Sequence, residues 1–239
     1  MYYAILSDIH SNLEALETVL KALKNKKPDQ IISPGDIVGY GADPCECLDL
    51  VLERFTSVVM GNHDEAVENN LLRSHFNDYA REAIIWTEGV LKEHQKKKIR
   101  EWTRMVIDSE NGVTLVHGSP DEVEKHKYLL TSWDTRASFE AFQTPVCFIG
   151  HTHVPSLFSS SGQACYLKAG HHQLDRRERY ILNPGSVGQP RDQNTETSFA
   201  LFDSQKFEFE VVRLPYDNWK AAEKIKRVGL PAFLGDRLL

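Results

Sequence analysis

Residues 1–64 read MYYAILSDIHSNLEALETVLKALKNKKPDQIISPGDIVGYGADPCECLDLVLERFTSVVMGNHD, three apolar runs separated by two helix-like segments. The first run, 2–7 (YYAILS), predicts a buried strand. Ser11-Asn12-Leu13-Glu14 reads as a capping box. Behind it Leu13, Leu16, Leu20 and Leu23 recur at three- and four-residue steps, which predicts an amphipathic helix over 12–25. The second run, Gln30–Ser33, leads into a Gly-rich loop, PGDIVGYGADP. Residues 44–54 predict a helix with Pro44 at its first position. Thr56–Met60 is the third run. Strand, helix, strand, helix, strand is a βαβαβ unit on a parallel sheet.

Beyond this unit, residues 63–104 are rich in Glu, Lys and Ala and predict mostly helix. Lys96-Lys97-Lys98 reads as a solvated helix face. Residues 105–109 and 113–117 flank Asn111-Gly112, a hairpin signal. A helix is expected over 132–143. Strands are expected over 146–149, 156–159, 163–168, 179–182, 197–203 and 206–213, with a basic helix from Asp217 to about Arg227. His171-His172 reads as a loop tip. With no repeat and no low-complexity linker, the expectation is a single domain over 1–239, with a parallel sheet and a second, mixed one.

Composition bounds the function. The chain has 239 residues, 41% apolar and 26% charged, which suits a globular domain and excludes a disordered chain. No stretch approaches the ~18 apolar residues of a membrane span. The N-terminus lacks a basic n-region with an apolar h-region behind it, which predicts no signal peptide. A net charge of −6 argues against sequence-independent binding to nucleic acid. It leaves open a phosphate-bearing substrate at a metal site, where bound cations dominate the local charge. Cys45, Cys47, Cys147 and Cys165 match neither a redox pair nor a zinc spacing, and are expected to be reduced in the cytoplasm. Cys147, in VCFIG, reads as core.

The chemistry-bearing residues follow the predicted strands. Asp8-Ile9-His10 ends the first, Gly35-Asp36 the second and Gly61-Asn62-His63-Asp64 the third. His117-Gly118 follows 113–116, and Gly150-His151-Thr152-His153 follows 146–149. Ligands of α/β sheets gather beyond the carboxyl ends of strands. A lone Asp-x-His or Gly-Asp is a common cap or turn. Five such strand ends in series, carrying five of the ten histidines, are not explained as five independent turns. Asp, His and Asn donors suit Mn, Fe, Zn, Co or Ni, and their number suits two metals, for which a carboxylate can bridge. Such a site supplies an activated water and neutralises phosphoryl oxygens, and a nearby histidine can protonate the leaving oxygen.

These blocks, in this order, resemble the calcineurin-like metallophosphoesterase superfamily, whose pattern is D-x-H, G-D, G-N-H-D/E, H and G-H-x-H. The loops GDIVGYGADP and NPGSVGQPRD resemble its small bacterial and archaeal phosphodiesterase-like branch. The resemblance implies an α/β fold: a four-layer αββα sandwich of two mixed β-sheets flanked by helices, with a dimetal site at the carboxyl ends of the strands. It implies that Asp8, His10 and His153 hold one metal, that Asn62, His117 and His151 hold the other, and that Asp36 bridges. His63 would be the general acid, with Asp64 holding its imidazole. The cofactors would be two divalent transition-metal ions, manganese first, with iron, zinc, nickel or cobalt as alternatives.

Arg191 and Tyr40 are candidate substrate-binding residues; the alternative for Arg191 is a surface ion pair with Asp192 or another acid. The loop Asn183–Gly188 reads equally as a tight turn or a functional loop. Serine/threonine phosphatases carry Asp-Arg where this chain has Gly39-Tyr40, which favours small phosphodiesters over protein substrates. The function expected is hydrolysis of phosphate esters, chiefly phosphodiesters of small molecules or nucleotides. The alternatives are a phosphomonoesterase or protein phosphatase, a single-strand nuclease, or a protein-binding scaffold on the same fold. No membrane partner is expected, and the sequence carries no pattern that sets the oligomeric state.

Overall fold

The computed structural model describes residues 1–239. The elements run β1 (Tyr2–Ile5), α1 (Leu13–Lys26), β2 (Gln30–Ser33), α2 (Pro44–Arg54), β3 (Ser57–Val58), α3 (Asn62–Ala66), α4 (Asn70–Arg73), α5 (Asp78–Val90) and α6 (Glu93–Arg100). Then come β4 (Met105–Asp108), β5 (Val113–Val116), β6 (Val146–Phe148), β7 (Ser156–Ser159), β8 (Ala164–Tyr166), β9 (Gly170–Gln173), β10 (Tyr180–Asn183), β11 (Thr197–Asp203), β12 (Glu208–Leu214), α7 (Asn218–Arg227) and α8 (Ala232–Asp236).

Side chains on a strand alternate between its two faces, and here both faces are buried. Tyr3 and Ile5 of β1 join Val146 and Phe148 of β6 and Ala200 and Phe202 of β11 in a core between two sheets. Ala4, Leu6, Phe199 and Leu201, from the opposite faces, pack against Leu16 and Val19 of α1 and Leu48 of α2. Cys147 and Ile149 turn outward from the second sheet onto Phe139 and Phe142. One sheet has the order β3-β2-β1-β11-β12-β9, the other β4-β5-β6-β10-β7-β8. β1, β2 and β3 are parallel, as expected, and β11 adds antiparallel to β1. In the other sheet β5, β6 and β10 run parallel, while β4 and β7 pair antiparallel with β5 and β10. Both sheets are therefore mixed, and the fold is α/β with flanking helices. No helix is long and apolar enough to cross a membrane.

Three local expectations need correction. Residues 132–143 form turns and a 3-10 segment, Ser138–Glu140, in place of a helix. Asp134 accepts from the Leu130 and Thr131 amides, Thr135 Oγ1 donates to the Ser132 carbonyl, and Ser138 Oγ donates to Asp121. Side chains bonding locally in this way compete with the helical ladder. His171 and His172 lie in β9, an edge strand paired antiparallel with β12, because tertiary pairing supplies what local propensity does not. The cap of α1 is Asn12, whose side chain accepts from Ala15 N at 3.1 Å, while Ser11 sits outside the helix at φ 54°.

Candidate metal centre

The chain turns sharply where the sheets end. Asp8, His10, Asp36, His151 and His153 all have φ between 48° and 68°. Left-handed backbone at a residue with a Cβ is sparsely populated and costs about 1–3 kcal/mol, although Asp and His tolerate it better than most. The turns pack tightly: a Cβ at Gly61 would run into the Asp36 carboxylate. Backbone bonds then cross-tie the turns. Asp8 N donates to Gly35 O, and His10 N to Asp36 O, each at 3.0 Å. The Asn183–Gly188 loop takes the structural reading, because Ser186 Oγ and Gly188 N both donate to Asp8 O.

These turns bring all seven expected ligands together in burial. Asp8, His10, Asp36 and His153 form one group whose donor atoms converge, and Asp36, His117 and His151 form a second. Asp36 belongs to both. Its Oδ2 lies 3.6 Å from His10 Nε2 and 3.2 Å from His117 Nε2, while its Oδ1 accepts from His63 N. Asn62 Oδ1 stands 3.0 Å from His117 Nε2.

The donor set fits cations by its own electrostatics. His10 Nδ1 faces the Val38 carbonyl at 3.1 Å, and His153 Nδ1 faces that of Gln189 at 2.6 Å. A carbonyl only accepts, so each Nδ1 carries the proton. Burial pushes both imidazoles below their usual pKa, which leaves each Nε2 a bare lone pair. Those two nitrogens face each other at 3.0 Å. They repel unless a positive charge lies between them. On the other side, Asn62 Oδ1, His151 Nδ1 and Asp36 Oδ2 converge on His117 Nε2. Burial alone would lower the pKa of His117; the Asp36 charge overrides it and lifts it to about 9. A field that favours a proton there favours a metal cation. Nδ1 of His117 is tied to Pro34 O at 2.9 Å, the backbone anchor typical of ligating histidines.

His63 lies beside the first group and is packed by rings. Its centroid is 4.4 Å from Tyr40, 4.8 Å from Phe76 and 4.8 Å from His10. Burial pushes its pKa down to about 4. Asp64 does not hold this imidazole, contrary to expectation. His63 Nδ1 has no partner and abuts Gly39. The Asp64 carboxylate instead accepts from the amides of Asp36, Ile37, Val38 and Gly61 at 2.8–3.1 Å. The reason is geometric: His63 and Asp64 are consecutive residues of α3, and such neighbours do not face each other on a helix. Asp64 therefore pins the Asp36 turn.

A cavity of about 230 Å³ opens above these groups. Tyr40 and Arg191, the expected substrate residues, both line it. Arg191 Nη2 donates to Gln189 Oε1 at 3.0 Å, with Tyr40 Oη at 3.4 Å. Asp192 pairs with Arg213, so the alternative ion pair for Arg191 does not form. The sequence reading missed Phe76, His126 and Tyr128. Tyr128 stacks on His151 at 3.9 Å between centroids, and His126 Nε2 donates to Glu65 Oε2 at 3.2 Å. Neither follows a strand, so strand-end logic had no purchase on them.

Comparison with known proteins agrees with this geometry. A calcineurin-like phosphoesterase superfamily domain matches residues 1–206. An uncharacterized protein of Methanocaldococcus jannaschii, MJ0912, is 39% identical over 238 residues, covering 98% of this chain and 96% of that protein. The crystal structure of a metallophosphoesterase from Sphaerobacter thermophilus is 37% identical, with a TM-score of 0.87 over 100% of this chain and 98% of that one. The hypothetical protein PH1004 from Pyrococcus horikoshii shares the fold at 18% identity, with a TM-score of 0.79 over 99% of this chain and 97% of its own. On the domain match, the close relatives and two Asp/His groups able to hold metal, the chain belongs to the calcineurin-like phosphoesterase superfamily.

Proposed function

We propose that the chain hydrolyses phosphodiesters of small molecules or nucleotides, using two divalent transition-metal ions. The observation that carries this reading is the pair of donor groups sharing Asp36 on the floor of one cavity, with His63 beside them. Asp8, His10, Asp36 and His153 would hold one cation, and Asp36, Asn62, His117 and His151 the other. Bound there, two cations supply Lewis-acid charge for the phosphoryl oxygens and a lowered pKa for the attacking water.

The chain's own residues do the rest. His63 gives a proton to the leaving oxygen. Asp64 keeps the bridging turn in place, and Arg191 meets a phosphate oxygen from the rim. The cavity extends past the floor to His75, Asn77 and Lys125, which leaves room for a second ester arm. That room supports a diester over a monoester. The nitrogen and oxygen donors make manganese the metal to supply first, with iron, zinc, nickel and cobalt following.

The test compares turnover of bis-p-nitrophenyl phosphate with that of p-nitrophenyl phosphate, with manganese and with a chelator. The expected result is chelator-sensitive turnover that favours the diester. A monoester preference would replace this reading with a phosphatase. Metal-loaded protein that turns over neither compound would replace it with a protein-binding scaffold.

A further inference from the structure

Aromatic rings stand against both donor groups where they face the cavity. His63 packs with Tyr40 and Phe76, and with His10 of the first group. Tyr128 lies flat on His151 of the second, 3.9 Å between centroids and 20° between planes. Tyr40, His63, Phe76, Tyr128 and His151 all line the cavity. Tyr40, His63 and His151 are buried and Phe76 is half-buried, whereas Tyr128 is 47% exposed.

The backbone that carries Tyr128 is anchored on both sides. His126 is bonded to Glu65, Ser119 N donates to Lys127 O at 3.1 Å, and Leu129 is buried with Phe139 and Phe142. One face of the Tyr128 ring rests on His151, and the other is open to what enters the cavity. A flat aromatic face gains most from a flat partner, because offset stacking adds to the burial of area. The same cavity holds donors for the edge of such a partner. Asn77 spends Oδ1 on the first turn of α5, where it accepts from Ala80 N at 3.0 Å, which leaves the two hydrogens of Nδ2 to give. The Lys125 ammonium, paired only with Glu122, also points to an acceptor. A hydrocarbon ring has nothing to accept these bonds. A nucleobase has carbonyls and ring nitrogens on its edge.

We propose that Tyr128 is a specificity-determining residue, on which the base of a nucleoside stacks, and that this nucleoside is the arm that stays on the phosphate after cleavage. His63 stands with the first donor group and protonates the leaving oxygen, so the leaving arm lies towards Tyr40 and Phe76. Tyr128 stands with the second group, on the side left to the retained arm. The substrate class is then an ester of a nucleoside monophosphate, and the products are the nucleoside monophosphate and an alcohol. This assignment rests on the phosphodiesterase reading and narrows it.

The test holds the leaving group constant and varies the retained arm. Thymidine 5′-(p-nitrophenyl) phosphate and ethyl p-nitrophenyl phosphate are given to the manganese-loaded wild type, Tyr128→Phe and Tyr128→Leu. One base stacked on one ring predicts a KM about tenfold lower for the thymidine ester in the wild type. Tyr128→Phe keeps that ratio, because the ring remains, and Tyr128→Leu brings it to about twofold or less. Equal KM values in the wild type, or a ratio that survives in Tyr128→Leu, overturn the stacking. A ratio lost as fully in Tyr128→Phe also overturns it, because the hydroxyl would then be the contact. Wild-type turnover of bis-p-nitrophenyl phosphate, which has no nucleoside arm, tests the diesterase reading alone. If no diester is turned over, that reading falls, and calorimetry on the metal-loaded protein decides the stacking separately. Thymidine 5′-monophosphate should then bind about tenfold tighter than ribose 5-phosphate, with the same dependence on Tyr128. Equal affinities there remove the stacking as well.

Discussion

On the floor of the cavity, most of the expected ligands are held from behind. His10, His117 and His153 are tied through Nδ1 to the carbonyls of Val38, Pro34 and Gln189, and Asp36 Oδ1 accepts from His63 N. The walls are held more loosely. Tyr128 lies against His151 yet is 47% exposed, Lys125 reaches only Glu122, and Arg191 leans on an amide and a phenol. The difference separates two tasks. Groups already oriented need no reorganisation when charge develops, which suits the floor to chemistry. Loosely held side chains adapt to what enters, which suits the walls to selecting a molecule.

Substitutions should sort along this line. The largest effect is expected at Asp36, which both donor groups share. Asp36→Asn should lower metal content at both positions, measured by elemental analysis after dialysis. Activity should fall by more than about 100-fold, the upper range for loss of a mere outer-sphere partner. Full two-metal occupancy in this variant would break the shared-ligand geometry. Next comes His63→Ala, which should keep its metal. Its kcat should fall about 10²–10⁴-fold on a diester with a poor leaving group, and less on a nitrophenyl ester. Equal losses on both substrates would remove His63 from proton donation.

The smallest effect concerns a wall. Glu65 anchors His126 and also accepts from Arg104 at 2.9 Å. The His126 hydrogen bond, aided by Arg104, pulls its pKa from 4.5 to about 2. A depressed carboxyl contributes stability above its unfolded pKa and loses it as pH falls through the folded one. Wild-type stability should therefore decline between about pH 4.5 and 2. Glu65→Gln should be less stable at neutral pH and flatter across that window, as followed by chemical denaturation. Identical slopes in the two proteins would show that Glu65 does not hold the wall through its charge.

The floor was legible in the sequence because its residues directly follow apolar runs, and a strand's end lies where its sheet ends. The alternation of Tyr3 and Ile5 against Ala4 and Leu6 likewise reveals a doubly buried strand. The walls were not legible. Tyr128 and His126 lie in an irregular loop whose course depends on Leu129, Phe139 and Phe142 packing on the outer face of the second sheet. β9 exists only because β12 offers it an edge. The role that the resemblance implied for Asp64 does not hold, because a helix turns consecutive residues away from each other and aims this carboxylate at the Asp36 turn.

The left-handed turns at Asp8, His10, Asp36, His151 and His153 reach beyond catalysis. Each position would be more comfortable as glycine, and several as asparagine. A descendant released from hydrolysis would gain stability by discarding these five side chains before its core changed at all. Glycine or asparagine at these positions, above an intact sandwich, would therefore be the mark of a lapsed enzyme that had kept its shape for another use.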